Sequence, residues 1–232
     1  ASNSSSYGAT GANSVAIGAG LAKATSSRAM AFGNNAIASG ADSVAVGRST
    51  DATASSAFAF GYHCLASGNN SFATGYQSKA ATIGKAAYAS GSFSGSYDGD
   101  AQQGTYVLRS DTTDATAEAL TTNNGTAGTT NQIILSNTSA LSFHGTIVAR
   151  EDATDGTDCA AWEVKGLIRR EASASTTTLV NSSITVVDNT PSWGMALSAD
   201  TTNGCLKIQV TGAASTNIRW VATIHTSEVI YA

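Results

Sequence analysis

The three histidines are the residues best suited to bind a transition metal. His63, His144 and His225 lie far apart in the sequence, and none of them belongs to an H-x-H or H-x-x-x-H pair. Metal sites that can be recognised from sequence usually contain such close pairs. The spacing therefore predicts no metal site, and we expect the three side chains to lie at a surface or an interface.

The densest group of carboxylates lies in residues 151–158, with the sequence EDATDGTD. It lacks the alternating oxygen-ligand register of a calcium-binding loop. Paired carboxylates could also hydrolyse a glycosidic bond. The Asp155-Gly156 dipeptide, however, is typical of a tight hairpin turn. We interpret the segment as a solvated hairpin tip, with a cation site as the alternative.

The cysteines and glycines indicate no redox or cofactor chemistry. Cys64, Cys159 and Cys205 are widely separated and odd in number, so a disulfide scaffold is not expected. Assembly in a reducing cytoplasm is the simpler interpretation. The phosphate-binding pattern GxxxxGK[ST] is absent from the sequence. The sequence thus predicts no cofactor.

The composition favours an ordered chain made of strands. Charged residues make up 12% of the 232 positions, against about 25% in ordinary globular domains. Hydrophobic residues make up 42% and the net charge is −4, whereas disordered chains combine few apolar residues with high net charge. The longest basic run is Arg169-Arg170 and no apolar run is long enough to span a bilayer, so we expect neither nucleic-acid binding nor membrane insertion. The start at Ala1 suggests a fragment or a processed product.

A heptad repeat of glycines organises the first hundred residues. An alanine usually stands two positions before the glycine, and a pair of larger apolar residues recurs every second heptad, which gives a repeat of fourteen. A coiled coil is excluded because glycine costs a helix about 1 kcal/mol at each position and because the apolar residues alternate with period two. Short strands joined by glycine turns predict a parallel β-roll. The repeat glycines are Gly11, Gly18, Gly33, Gly40, Gly47, Gly61, Gly68 and Gly75.

The alternation within each strand assigns two faces. We expect the large residues to fill the roll interior, and the alanines and serines to face outward against neighbouring copies of the chain. An outer wall of alanines predicts a homotrimer. The residues expected inside are Val15, Ile17, Met30, Phe32, Val44, Val46, Phe58, Phe60 and Phe72.

These repeats resemble a known family. The units 14–18 (SVAIG), 43–47 (SVAVG) and 71–75 (SFATG) look like the head repeats of trimeric autotransporter adhesins. The resemblance covers residues 7–91 and implies a left-handed parallel β-roll that trimerises and binds host surfaces.

The sequence changes character at Gly99, so the domains are expected at 1–98 and 99–232. The alternating strands of the second half predict an antiparallel β-sandwich or jelly roll. Residues 110–130 are rich in polar turn formers and are interpreted as loops. Trp193 shares its phase with Met195 and Leu197 and is assigned to the core. The expected strands are 132–135, 141–149, 160–168, 184–187, 193–197, 205–210 and 218–226. The expected core residues are Phe143, Ile147, Trp162, Val164, Ile168, Leu206, Ile208, Val210, Ile218, Trp220 and Ile224.

This half has a resemblance of its own. The stretches 161–166 (AWEVKG), 198–204 (SADTTNG) and 218–222 (IRWVA) look like C-terminal domains of phage and prophage tail-fibre proteins. That resemblance implies a location in the virion tail.

Together the two halves predict a trimeric, receptor-binding tail-fibre segment and no enzyme. The expected partners are two further copies of the chain, a glycan or protein of the host surface, and other tail or baseplate proteins. Two alternatives remain open: the head of a bacterial surface adhesin, and a tailspike-like glycan hydrolase. Recognition is expected in the longest loops, and the candidate contact residues are Asn123, Asn124, Asp152, Asp155 and Asp158.

Overall fold

The computed structural model describes residues 7–93, 95 and 98–231. Its chain divides into two compact units, Ala1–Gly104 and Thr105–Ala232. Within the described residues the regular structure is strand, apart from one short 3₁₀ turn at Ala174–Thr176. The prediction of an all-β chain, a parallel roll followed by antiparallel sheet, is confirmed. Ala1, on which the interpretation as a fragment depends, lies outside the described residues.

The first unit is a roll of two parallel sheets. Strands at equivalent places in successive coils pair with a shift of fourteen residues, as in Ala45↔Ala59 and Ala59↔Ala73, which confirms the predicted repeat. One sheet contains β1 (Gly8–Ala9), β3 (Lys23–Ala24), β5 (Ile37–Ala38), β7 (Asp51–Ala52), β9 (Leu65–Ala66) and β11 (Lys79–Ala80). The other contains β2 (Val15–Ile17), β4 (Met30–Phe32), β6 (Val44–Arg48), β8 (Phe58–Tyr62), β10 (Phe72–Tyr76) and β12 (Ala86–Ser90).

The two faces of the roll are the reverse of the prediction. Alanines fill the interior: Ala59 is 0% exposed, whereas its neighbour Phe60 is 50% exposed. A fourteen-residue coil leaves so little space between its two strands that methyl-sized side chains fill it, and larger ones must point out. The fully buried strand alanines are Ala24, Ala31, Ala38, Ala45, Ala52, Ala59, Ala66, Ala73 and Ala80. Large residues expected inside but more than a third exposed are Ile17, Met30, Phe58, Phe60 and Phe72; Val15, Phe32, Val44 and Val46 are half-buried.

The glycines serve close packing as much as turning. A Cβ atom at Gly40 would lie 1.8 Å from the carbonyl oxygen of Ala54 in the next coil, so a side chain cannot fit there. Gly47 has the same restriction and a φ of +130°, which only glycine adopts readily. The left-handed turn position itself comes two residues after the glycine and is held by polar residues such as Asp42 (φ 58°) and Ser49 (φ 52°). The prediction that the repeat glycine supplies the positive φ of each turn is therefore correct only in part, because Gly47 has a positive φ and Gly40 does not.

The second unit is built from antiparallel strands in two sheets. The first sheet has the order β18-β17-β16-β21-β13. In the second, β20 is paired by β14, β15 and β19. The strands are β13 (Ala101–Thr112), β14 (Ala117–Ala119), β15 (Ile133–Ile134), β16 (Ser139–Glu151), β17 (Cys159–Arg170), β18 (Thr178–Asp188), β19 (Gly194–Asp200), β20 (Cys205–Thr211) and β21 (Ile218–Ile230).

One apolar core lies between these sheets, which makes the second unit a β-sandwich. All eleven residues that strand phase assigned to the core belong to it. Trp162 and Trp220 stack with ring centroids 5.7 Å apart, and Trp193 packs against Trp220 at the same distance. The placement of Trp193 in the core is thus confirmed. Strand β13, which contributes Tyr106 and Leu108 to this core, was not predicted.

Candidate receptor-contact site

The acidic segment forms the ordered hairpin tip that joins β16 to β17. The backbone N–H groups of Asp155 and Gly156 donate to the carbonyl oxygen of Asp152, at 2.9 and 3.0 Å. The Asp152 side chain accepts the N–H of Thr154 at 2.8 Å. This backbone hydrogen bond, together with the Thr154 hydroxyl, lowers the pKa of the Asp152 carboxyl. The tip therefore keeps a defined shape in solvent.

A second contact anchors the tip to the segment that leads into β21. The Asp155 carboxylate accepts two hydrogen bonds from Asn217, from its backbone N–H at 2.8 Å and from its side-chain amide at 3.0 Å. The N–H of Asp152 in turn donates to the carbonyl oxygen of Asn217. Asp158 contributes its backbone, because its carbonyl oxygen accepts the Arg150 guanidinium at 3.0 Å. Two adjacent loops therefore hold each other in place.

The asparagine pair lies in the long connection between β14 and β15. The Asn124 amide donates to the Asp111 carboxylate at 2.6 Å. The Asn123 side chain works inside the loop, where its oxygen accepts the Asn131 amide at 2.8 Å and the N–H of Gly125 at 3.2 Å. Asn124 therefore bonds to strand β13 through Asp111, while Asn123 shapes the loop.

Asp111 connects the two candidate loops. It lines a groove of about 540 Å³ together with Asp152 and Arg219, and a neighbouring groove of about 300 Å³ together with Asn124. Asp155, Asp158 and Asn123 are exposed but do not line either groove. The structure thus places Asn124 and Asp152 each in a groove that Asp111 also lines, and it gives the other three predicted residues supporting positions.

The larger groove carries both signs of charge. Arg150 and Arg219 are cross-strand neighbours on β16 and β21, and they lie beside the carboxylates of Asp111 and Asp152. Guanidinium and carboxylate groups arranged in this way can donate to and accept from a hydroxyl-rich ligand. Asp111 was missed because its segment was interpreted as a loop.

The roll carries a separate surface, a ladder of large side chains on the outside of its second sheet. Phe58 and Phe72 lie one coil apart with ring centroids 5.7 Å from each other. Tyr62 and Tyr76 repeat this arrangement at 4.9 Å, and the Arg48 guanidinium lies 5.2 Å from the Tyr62 ring centroid. Parallel pairing with identical register stacks like residues on like. We call this surface the apolar ladder. Its exposed members are Ile17, Met30, Phe58, Phe60, Phe72, Tyr76 and Tyr88.

Residues 7–93, 95 and 98–231 contain neither a metal-binding cluster nor a membrane-spanning helix. Among those residues, no group of three or more histidine, cysteine, aspartate or glutamate side chains could hold a metal ion. The same residues include no helix long and apolar enough to cross a membrane.

Comparisons with known proteins agree with the roll architecture. The YadA head domain repeat matches residues 9–20, 24–50, 38–63, 52–78 and 66–82. This match suggests an adhesin-like domain and implies trimeric assembly. A comparison with curated protein sequences gave no match.

One solved structure has a weak similarity to the chain. It is the tailspike protein of the Acinetobacter baumannii phage AM24, with 6% sequence identity and a TM-score of 0.26. The alignment covers 94% of this chain and 43% of the tailspike chain. Similarity this low supports no argument about function.

Proposed function

We propose that the chain is the receptor-binding segment of a trimeric phage tail fibre, and that it attaches the virion to the host cell surface. The observation that carries the proposal is the apolar ladder on a roll whose buried apolar cluster consists of alanines and Cys64. Full burial of a phenylalanine stabilises a protein by about 1.5–3 kcal/mol. In a single chain the phenylalanines of the ladder remain partly exposed, so they obtain only part of this stabilisation.

The sandwich has an exposed apolar edge of its own. Strand β18 is the outermost strand of its sheet, and Val180, Val186 and Val187 on it are about half exposed or more. Natural proteins protect edge strands with charges, proline or a covering element. The sequence of β18, TLVNSSITVVD, contains no proline and carries a charge only at Asp188. Neighbouring copies in a trimer would cover such an edge.

Recognition is assigned to the grooves around Asp111. The repeated coils of the roll present nearly the same surface at every level, which suits spacing and trimerisation. The hairpin tip, the asparagine loop and the two arginines instead form an irregular polar surface, where binding sites usually lie. Each single site is expected to bind weakly, and three copies on one fibre strengthen the overall binding through a raised effective concentration. The partners proposed are a host glycan or surface protein and the adjoining tail proteins.

Binding of the intact chain to a panel of bacterial strains tests this function. We expect fluorescently labelled protein to bind a subset of the strains and to block adsorption of a phage that infects them. A trimeric β-protein of similar charge serves as the control. Binding no better than that control on every strain would exclude attachment.

The match to YadA head repeats favours a second candidate, the head of a bacterial surface adhesin. The roll suits both functions and does not distinguish them. The gene neighbourhood does. Sequence for a membrane barrel downstream in the same gene supports the adhesin, and neighbouring baseplate genes support the phage fibre. In either case we propose binding without catalysis. Release of reducing sugar from host polysaccharide would instead support a tailspike-like hydrolase.

A further inference from the structure

A row of basic side chains crosses the outward face of the larger sheet in the sandwich. His144 on β16 pairs with His225 on β21 and with Lys165 on β17, and Lys165 pairs with Ser183 on β18. Directly opposed residues on one face have Cβ atoms about 4.5–5.5 Å apart. The His144 and His225 rings lie 5.5 Å apart by their centroids. Three nitrogen-bearing side chains are therefore contiguous across three strands.

This row opens into a shallow depression of about 440 Å³ between β16, β17 and β18. Its lining combines His144 and Lys165 with Leu167, Asn181 and Ser183, and includes no carboxylate among the described residues. A neighbouring depression of about 310 Å³ shares His144, Lys165 and Ser183 and adds Glu163. The basic row thus lies where the two depressions meet.

Local backbone features shape the depression. A Cβ atom at Gly166 would lie 2.6 Å from the Phe143 ring, so the glycine lets that ring pass beneath it. Beside Gly166, the register between β17 and β18 shifts, because Leu167 pairs with Asn181 and Ile168 pairs with Leu179. Such bulges bend the edge strand and often adjoin binding sites, where they re-aim side chains.

The positive charge of Lys165 in this row is opposite in sign to the net charge of the chain. The whole protein has a net charge of −4, yet within its described part the Lys165 ammonium group has no ion-pair partner. A hydrogen bond of 3.2 Å between the Thr105 hydroxyl and Nδ1 of His225 fixes one end of the row. The site therefore offers positive charge that no carboxylate of the described chain neutralises directly.

We propose that this depression binds an acidic saccharide, a sugar that carries a carboxylate. Lys165 and His144 donate hydrogen bonds to the carboxylate. Asn181 and Ser183 hydrogen-bond to the ring hydroxyls, and Leu167 packs against the apolar side of the sugar. Pockets that combine an apolar surface with a few placed polar groups bind small molecules in this way. The inference rests on the proposed attachment function and adds to it a second binding site, which shares no lining residue with the grooves around Asp111.

Titration calorimetry on the intact protein tests the site with oligogalacturonate and oligosialate, each against its own methyl ester. We expect at least one of the two acidic probes to bind and neither ester to bind. Lys165→Gln and His144→Gln should each weaken that binding about tenfold, which corresponds to about 1.4 kcal/mol. The control Lys207→Gln removes the same charge from β20, in the other sheet, and should leave the affinity unchanged.

Several outcomes overturn the inference. They are no binding of either acidic probe, equal binding of the methyl esters, equal affinity of Lys165→Gln and wild type, or binding of inorganic phosphate as tight as that of the sugars. Thermal unfolding of each variant shows whether its fold is intact. If cell attachment persists while saccharide binding does not depend on Lys165, this site is wrong and the attachment function stands. If saccharide binding depends on Lys165 but no strain is bound, the attachment function is wrong instead.

Discussion

The rings of Phe58 and Phe72 lie 5.7 Å apart on the outside of the roll, while Ala59 and Ala73, the next residues along the chain, are completely buried inside it. The register of β8 and β10 pairs Phe58 with Phe72 and Ala59 with Ala73. Each coil therefore presents its large side chain to the outside and its methyl group to the interior. The stability of the roll depends on a tightly packed alanine core, and we propose that its assembly depends on the ladder.

The alanine core leads to the first prediction. Ala59→Leu should destabilise the roll by about 1–3 kcal/mol or more, because the added atoms have no space between the strands of the coil. Thermal and denaturant unfolding measure this loss. The control Thr53→Leu enlarges an exposed position on the neighbouring coil and should change stability little. Equal effects of the two substitutions would contradict an alanine-filled interior.

The second prediction concerns the apolar ladder. Phe60→Ser and Phe72→Ser should weaken association, because each removes apolar surface that we propose another copy covers. Sedimentation velocity over a range of concentrations should show dissociation of the variants where the wild type remains assembled. Leu21→Ser is the control, since Leu21 is 55% exposed but lies in the connection between β2 and β3, outside the ladder. Variants that associate as tightly as wild type would show that the ladder faces solvent.

The repeat was predictable because its signals are local. Glycine and alanine at fixed spacing define the coil, and period two defines the strands, so the fourteen-residue register followed directly. Alternation separates two faces but does not say which of them is inside. For Phe58 and Ala59 the usual preference for large buried residues gave the wrong answer, because the gap between the two strands of a coil limits side-chain size.

In the sandwich, strand phase alone placed Trp162 and Trp220 correctly in the core, because the space between two sheets accepts large side chains. It failed for β13, where the outward positions hold polar residues such as Gln103 and Arg109, and turn formers surround the strand. Asp111 lies near the end of that strand, so the residue that connects the two candidate loops was missed with it. The basic row of His144 and Lys165 depends on cross-strand register, which sequence spacing alone does not provide.

A third prediction tests the buried contact between Trp220 and Thr112. The indole Nε1–H of Trp220 donates to the Thr112 hydroxyl at 3.0 Å, and both side chains are completely buried. Thr112→Val keeps the shape but leaves the indole N–H unpaired, which should cost about 1–3 kcal/mol of unfolding free energy. Thr146→Val, the same change at an exposed position of β16, should cost little. A loss at Thr112 no greater than at Thr146 would contradict the contact.

The fourth prediction concerns pH and the carboxylates of the roll. Burial raises the pKa of Asp51, and the nearby Asp98 carboxylate raises it further, against a smaller opposing effect of His63. Burial also raises the pKa of Asp98, with Asp100 adding to the rise and with His63 and Lys79 opposing it. A pKa raised on folding means that the folded state binds protons more readily, so this stability is present at low pH and is lost as pH rises.

Asp51→Asn should therefore stabilise the roll at pH 7 and have a smaller effect near pH 4, close to the ordinary aspartate pKa of about 3.9. Asp42→Asn is a control of opposite sign, because hydrogen bonding to Arg28 lowers the pKa of Asp42. That substitution should destabilise at neutral pH and lose its effect in acid. Melting temperatures measured from about pH 2 to pH 7 check both, because the Asp42 effect is lost only below the ordinary aspartate pKa of about 3.9. A uniform effect of Asp51→Asn across that range would exclude the linkage.

The fifth prediction concerns the hairpin tip. Asp155→Ala removes both hydrogen bonds to Asn217 and should loosen the tip, with a severalfold loss of cell binding but little change in melting temperature. Asp200→Ala is the matched control, because Asp200 holds its own turn through Thr202 and Asn203. That turn lies beside Arg170, at the other end of β17. If both variants bind cells equally well, recognition does not depend on the tip.

Light scattering on the intact chain at neutral pH tests the central claim, that this protein works as a trimer built on the apolar ladder. The chain has a mass of 23.3 kDa. The account predicts a particle with three times that mass, which persists on dilution and has the circular dichroism of a folded β-protein. A stable, folded particle with the mass of one chain would contradict it.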